Sequence, residues 1–153
     1  MKEPKKIIFT RTGYHDLQNK YDTLLSERVL AVEQLKKARE MGDLSENGFY
    51  KAAKQKLGAL DHQIFRTKHF LRYGIISDTS GQNGIQIGNI VHIDNGKEQK
   101  EIIIVGEQEA NPSEKKISFR SPLGKGLLNK QVGETVEIQT PRGNITYKIV
   151  HFT

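Results

Sequence analysis

Two runs of residues in the first half of the chain, each stepping alternately by three and four, constrain the fold more than anything else in the sequence. The first is Tyr14, Leu17, Tyr21, Leu24, Arg28, Ala31, Leu35 and Ala38; the second is Tyr50, Ala53, Leu57, Leu60, Ile64, Thr67, Leu71 and Gly74. This spacing, kept over several turns, lays a narrow apolar seam along a helix, and such a seam buries against a second helix in a coiled coil. Arg28, Thr67 and Gly74 are its flaws. The stretch between the runs, Met41-Gly42-Asp43-Leu44-Ser45-Glu46-Asn47-Gly48, is rich in turn formers and too short for anything but a reversal. Two antiparallel helices of about 30 residues would make an arm roughly 45 Å long. Thr10 can N-cap the first helix. Periodicity alone fits equally a coiled coil that only tethers or dimerises.

The sequence changes character near Gly74. Of 24 Lys and Arg, 15 fall in residues 1–74 against 9 of the 18 acids, a net of +6; the rest of the chain has 9 of each. Beyond Gly74, glycines recur among Ile and Val, and alternation predicts strands at 85–93, 101–105, 116–119, 135–139 and 144–151. Asn95-Gly96 marks a hairpin between the first two. Ser121-Pro122 fits an N-cap followed by proline at the first helical position, opening a short helix through Leu128. The fold class is therefore α+β: an antiparallel helical hairpin at 1–76, a polar glycine-rich linker at 77–84, and an antiparallel sheet packed on a short helix at 85–153.

Composition removes several classes of function. With no Cys there is neither a disulfide scaffold nor a thiolate zinc site. No apolar run approaches the roughly 18 residues of a membrane span, and residues 1–6 lead into no apolar signal segment, so a cytoplasmic protein with no membrane partner is expected. None of the five histidines lies four residues from another, so a helical metal pair is absent.

At the reversal, Asp43 and Glu46 are three residues apart. One reading is a capping box at the start of the second helix. Another starts from the basic collar behind them: Lys36, Lys37 and Arg39 on one helix, Lys51, Lys54 and Lys56 on the other. Such a collar is either a solvated helix face or a holder of phosphates. Carboxylates beside phosphates repel unless a divalent cation bridges them, and Mg²⁺ is commonly held by one or two carboxylates plus phosphates and water. Near a phosphodiester such an ion activates water and stabilises the leaving oxygen. Two carboxylates alone make a poor site, which points to a partial site completed by another protein.

These residues carry a resemblance. Ala38-Arg39-x-x-Gly42-Asp43-Leu44-Ser45-Glu46-Asn47-x-x-Tyr50-x-x-Ala53-Lys54 resembles the central signature of the Gre family of bacterial transcript cleavage factors. Thr10-x-x-Gly13-x-x-x-Leu17, Val105-Gly106, Ile117-Ser118 and the stretch from Ser121 to Gly133 resemble other parts of that family, so the likeness runs nearly end to end. It implies an FKBP-like C-terminal domain that docks on RNA polymerase through the loop at Ser121, Pro122 and Leu123. It implies an arm entering the polymerase's secondary channel, with Asp43 and Glu46 as the catalytic acids. They would share a Mg²⁺ with the polymerase active site, none being bound stably by the factor alone. Arg39, Lys37, Lys51 and Lys54 would face the nascent RNA 3′ end, and Leu44, Ser45, Asn47 and Tyr50 would support the tip. The factor would act as a monomer and would not itself be an enzyme; it would stimulate the polymerase's own cleavage of backtracked RNA. The family often has Ala-Glu where this chain has Gly48-Phe49, so a third acid is replaced by an aromatic.

Three other functions compete. A channel-binding inhibitor without cleavage activity needs the arm but not the acids. A plain nucleic-acid-binding hairpin needs only the collar. A peptidyl-prolyl isomerase needs an aromatic-lined cavity, and beyond Gly74 the aromatics are Phe119, Tyr147 and Phe152. Pro122 is explained equally by its helix-starting position.

Overall fold

A computed structural model describes residues 5–43, 46–78 and 83–153. The chain forms two compact units, one of His15–Tyr73 and the other of the residues up to Tyr14 together with Gly74–Thr153.

The first unit is the helical hairpin. Helix α1 spans Arg11–Arg39 and α2 spans Gly48–Tyr73. The side chains of α1 withdrawn from solvent beyond Gly13 are the members of the first seam, Arg28 excepted. Leu24, Ala31 and Leu60 form the buried centre, with Leu57 and Ile64 packed against them. The flaws have local explanations. Arg28 stays exposed and its Nε pairs with Asp61 across the hairpin at 2.5 Å. Thr67 is buried, and its hydroxyl donates to the Gln63 carbonyl one turn back, 2.8 Å away, so no polar atom is stranded. Gly74 has left the helix altogether and opens a strand.

The second unit begins before the hairpin. Strand β1 (Ile7–Phe9) pairs in parallel with β2 (Gly74–Ile76), Ile7 opposite Gly74 and Phe9 opposite Ile76. The predicted division at residue 76 thus differs from the structure, in which both strands pack with the C-terminal half. Phe9 is 2% exposed, and the Tyr14 ring meets it edge-on at 6.1 Å. The Thr10 hydroxyl caps α1, accepting the Gly13 N–H at 2.9 Å.

The main sheet contains β3 (Ile90–Asp94), β4 (Gln99–Val105), β5 (Lys116–Ser118), β6 (Thr135–Thr140) and β7 (Gly143–Phe152), in the order β5-β4-β3-β7-β6. It is antiparallel except at the β4–β5 edge, which is parallel. The helix α3 (Pro122–Leu127) starts as expected: Ser121 Oγ accepts the Gly124 N–H, with Pro122 at the first position. Ile85, Val91, Ile93, Ile102, Ile104, Leu127, Val136 and Ile149 make the core. The strand predicted at 85–93 begins only at Ile90. Asn89 Oδ1 accepts the Gln86 N–H at 2.6 Å and turns the chain, while Ile85 exchanges hydrogen bonds with Asn129 and Lys130 instead of with a strand. The predicted linker at 77–84 falls partly outside the described residues, at 79–82.

Candidate functional site

The reversal between α1 and α2 is built by the two helix ends. At the end of α1 the Glu40 N–H reaches back to the carbonyls of Lys36 and Lys37, and the Met41 N–H to that of Ala38. Gly42 follows with φ +118°, a left-handed conformation that L side chains rarely adopt. The start of α2 is capped by Asn47, whose Oδ1 accepts the Tyr50 N–H at 3.1 Å and whose carbonyl accepts the Lys51 N–H. The same side chain donates through Nδ2 to the Ala38 carbonyl at 2.8 Å. The capping-box reading therefore gives way at its main position: the N-cap is Asn47, not Asp43.

Asp43 and Glu46 are both exposed in this turn. Leu44 and Ser45 lie outside the described residues. Lys36, Lys37, Arg39, Lys51, Lys54 and Lys56 are all exposed at the helix ends beside the turn. Lys56 Nζ donates to Gln34 Oε1 across the hairpin at 3.2 Å. The Arg39 guanidinium lies 5.8 Å from the centre of the half-buried Tyr50 ring, a cation–π contact from α1 to α2. A residue expected to face RNA and one expected to support the tip are thus partners. Gly48 opens α2, and Phe49 next to it is 74% exposed.

The donor set suits part of a Mg²⁺ site and no more. Carboxylate oxygen is the ligand that hard cations take. Among the described residues no three His, Asp or Glu side chains gather into a group that could hold a metal ion. Asp43 and Glu46 would have to share the ion with ligands from elsewhere.

In the second unit, Ser121 spends its hydroxyl on α3, donating to the Ser118 carbonyl at 2.7 Å as well as capping. Pro122 is exposed, while Leu123 is half-buried against the core and lines a cleft with Ile93, Ile102, Ile117 and Tyr147. Tyr147 is the aromatic residue of that lining. Lys100, also in it, is held above its ordinary pKa of 10.5 by its hydrogen bond to Glu98 and by that carboxylate's charge. One polar centre escaped the sequence reading. Glu109 accepts the Thr10 N–H at 2.9 Å, the Thr10 hydroxyl and the Gly106 N–H, and so ties the start of α1 to the 3₁₀ turn at Glu107–Glu109. A contact between residues 99 apart leaves no local signal.

Comparison with known proteins gives one answer. Residues 7–73 match the family model described as transcription elongation factor, N-terminal, and residues 80–153 match the one described as transcription elongation factor, GreA/GreB, C-term. The chain is 39% identical over 150 residues to transcription elongation factor GreA of Thermosipho melanesiensis, covering 95% of this chain and 96% of that one. It is 38% identical to GreA of Macrococcus caseolyticus with both chains covered completely, and 36% identical to GreA of Clostridioides difficile over 98% of each. Among solved structures, Gfh1 of Thermus thermophilus is similar at 25% identity, covering 97% of this chain and 99% of that one, with a TM-score of 0.47. By both halves of its sequence and by relatives matched nearly end to end, the chain belongs to the GreA/GreB family of transcription elongation factors.

Proposed function

We propose that this protein binds bacterial RNA polymerase, reaches its active centre with the turn between α1 and α2, and stimulates Mg²⁺-dependent cleavage of backtracked RNA. The observation that carries the reading is the division of labour at the turn. Asn47 holds the N-cap of α2, and Asp43 and Glu46 stand exposed in the same turn. Asp43 and Glu46 would hold a Mg²⁺ whose remaining ligands would come from the polymerase, and the ion would supply activation of a water and stabilisation of the leaving oxygen. Arg39, Lys37, Lys51 and Lys54 would hold the phosphates of the RNA 3′ end. Val29, Leu30 and Phe65, each more than half exposed along the hairpin, suit a shaft that runs against another protein. Ser121, Pro122 and Leu123 would form the docking surface. The protein is then an accessory to the polymerase's own chemistry, acting as a monomer in the bacterial cytoplasm.

The test is transcript cleavage by an arrested polymerase in Mg²⁺. The wild type should shorten the RNA, and Asp43→Ala/Glu46→Ala should bring cleavage down toward that of the polymerase alone while still competing for polymerase. A double variant that stimulates like the wild type sinks the mechanism. The exposed Phe49, at a position where the family resemblance implies an acid, keeps the channel-binding inhibitor as a second reading. Slowing of unarrested complexes with no short RNA product would favour it.

A further inference from the structure

Given the function proposed above, we infer that Asn47 is the positioning residue of the tip: a single side-chain amide that clamps the two helix ends and so sets the spacing of Asp43 and Glu46. Helix ends leave backbone carbonyls and N–H groups without partners. Here Nδ2 of Asn47 serves the Ala38 carbonyl and Oδ1 serves the Tyr50 N–H, at 2.8 and 3.1 Å. The two backbone groups belong to different helices, and Ala38 is itself 5% exposed, so the clamp bears on the packed part of the hairpin. The chain between the clamped ends runs from Arg39 to Glu46 and contains both acids. A second link joins neighbours of the same groups, the Arg39 guanidinium against the Tyr50 ring.

The chemistry of the clamp is specific to asparagine. It needs a donor and an acceptor on one short planar group. Aspartate keeps the acceptor but turns a carboxylate oxygen toward the Ala38 carbonyl. Serine keeps a helix cap but is too short to span to the other helix. An incomplete metal site gains from having its two ligands held at the right separation before the ion arrives, because ordering them afterwards costs conformational entropy. Groups that orient metal ligands typically matter by 10- to 100-fold in activity or metal affinity.

The experiment compares the wild type with Asn47→Asp, Asn47→Ser and Asn47→Ala in the arrested-polymerase cleavage assay. It titrates both factor and Mg²⁺ and measures helix content by circular dichroism. Asn47→Asp and Asn47→Ser keep a capping acceptor, so their helix content and half-saturating factor concentration should stay at the wild-type values. Their maximal cleavage rate should fall by about tenfold or more and their Mg²⁺ requirement should rise. A purely structural residue would move helix content or polymerase affinity and leave the Mg²⁺ requirement alone. Wild-type rate and Mg²⁺ requirement in Asn47→Asp, or a loss explained wholly by weaker polymerase binding, overturns the role of Asn47. A wild type that supports no cleavage overturns the function and this inference together.

Discussion

At the scale of single residues, the contacts that matter most join parts of the chain far apart in sequence. A Cβ on Gly106 would lie 2.0 Å from the Ile8 carbonyl oxygen and 2.7 Å from a Glu109 carboxylate oxygen. Backbone cannot move aside as a side chain can. Gly106→Ala should therefore destabilise the second unit by about 1–3 kcal/mol, the range of overpacking. Urea unfolding of the intact protein followed through Tyr fluorescence checks this, and an unchanged midpoint contradicts it. Sequence reasoning found the residues whose partners are near: Thr10 as cap, and Ser121 with Pro122 at the start of a helix. It did not find Glu109, whose partner Thr10 is remote. At the turn the spacing of Asp43 and Glu46 satisfied a capping box, yet Asn47 holds the N-cap. Both residue types cap well, but only the amide also has a donor for the Ala38 carbonyl.

At the scale of elements, legibility follows length. Several turns of 3-4 spacing identified both helices and which face each one buries. Strands β1 and β2 have three residues each, too few to show an alternation, and they escaped notice. The strand predicted from residue 85 began late because Ile85 is buried without being in a strand. Burial and pairing are different facts, and a hydrophobic pattern reports only the first. The seam yields a prediction of its own. Thr67 occupies a buried position, and its hydroxyl bonds only to its own helix among the contacts described. The Thr67→Val variant removes that hydroxyl and leaves the shape. It should melt at the wild-type temperature or up to a few degrees higher, since the Gln63 carbonyl keeps its helical N–H donor and no buried polar group is stranded. A drop of more than about 1 kcal/mol in thermal unfolding would show the hydroxyl to matter more than the packing.

At the scale of the whole molecule, the sequence placed its surplus positive charge in residues 1–74, and the structure assigns the collar to the end of the hairpin beside the turn. What composition did not reveal is the order of the chain through its units. One unit starts before the hairpin and is finished after it, closed by the pairing of β1 with β2. The hairpin is thus an insertion. Removing residues 25–31 and 58–64 together deletes one heptad from each helix and takes the Arg28–Asp61 pair out whole. The shortened protein should fold cooperatively and still compete for polymerase, with the turn drawn back by about 10 Å. Cleavage stimulation should then fall to the level of Asp43→Ala/Glu46→Ala; retention of wild-type stimulation would show that reach is not what the hairpin supplies.

The closure of β1 on β2 has a consequence for how such proteins change over generations. Both feet of the hairpin are fixed in register, Ile7 opposite Gly74 and Phe9 opposite Ile76. A single inserted residue in one helix would rotate every later seam residue by about 100° and throw the two seams out of match. Matched steps of seven in both helices keep the seams facing each other. The hairpin therefore behaves as a ruler graduated in heptads, along which paired steps in both helices change the length without disturbing the seams.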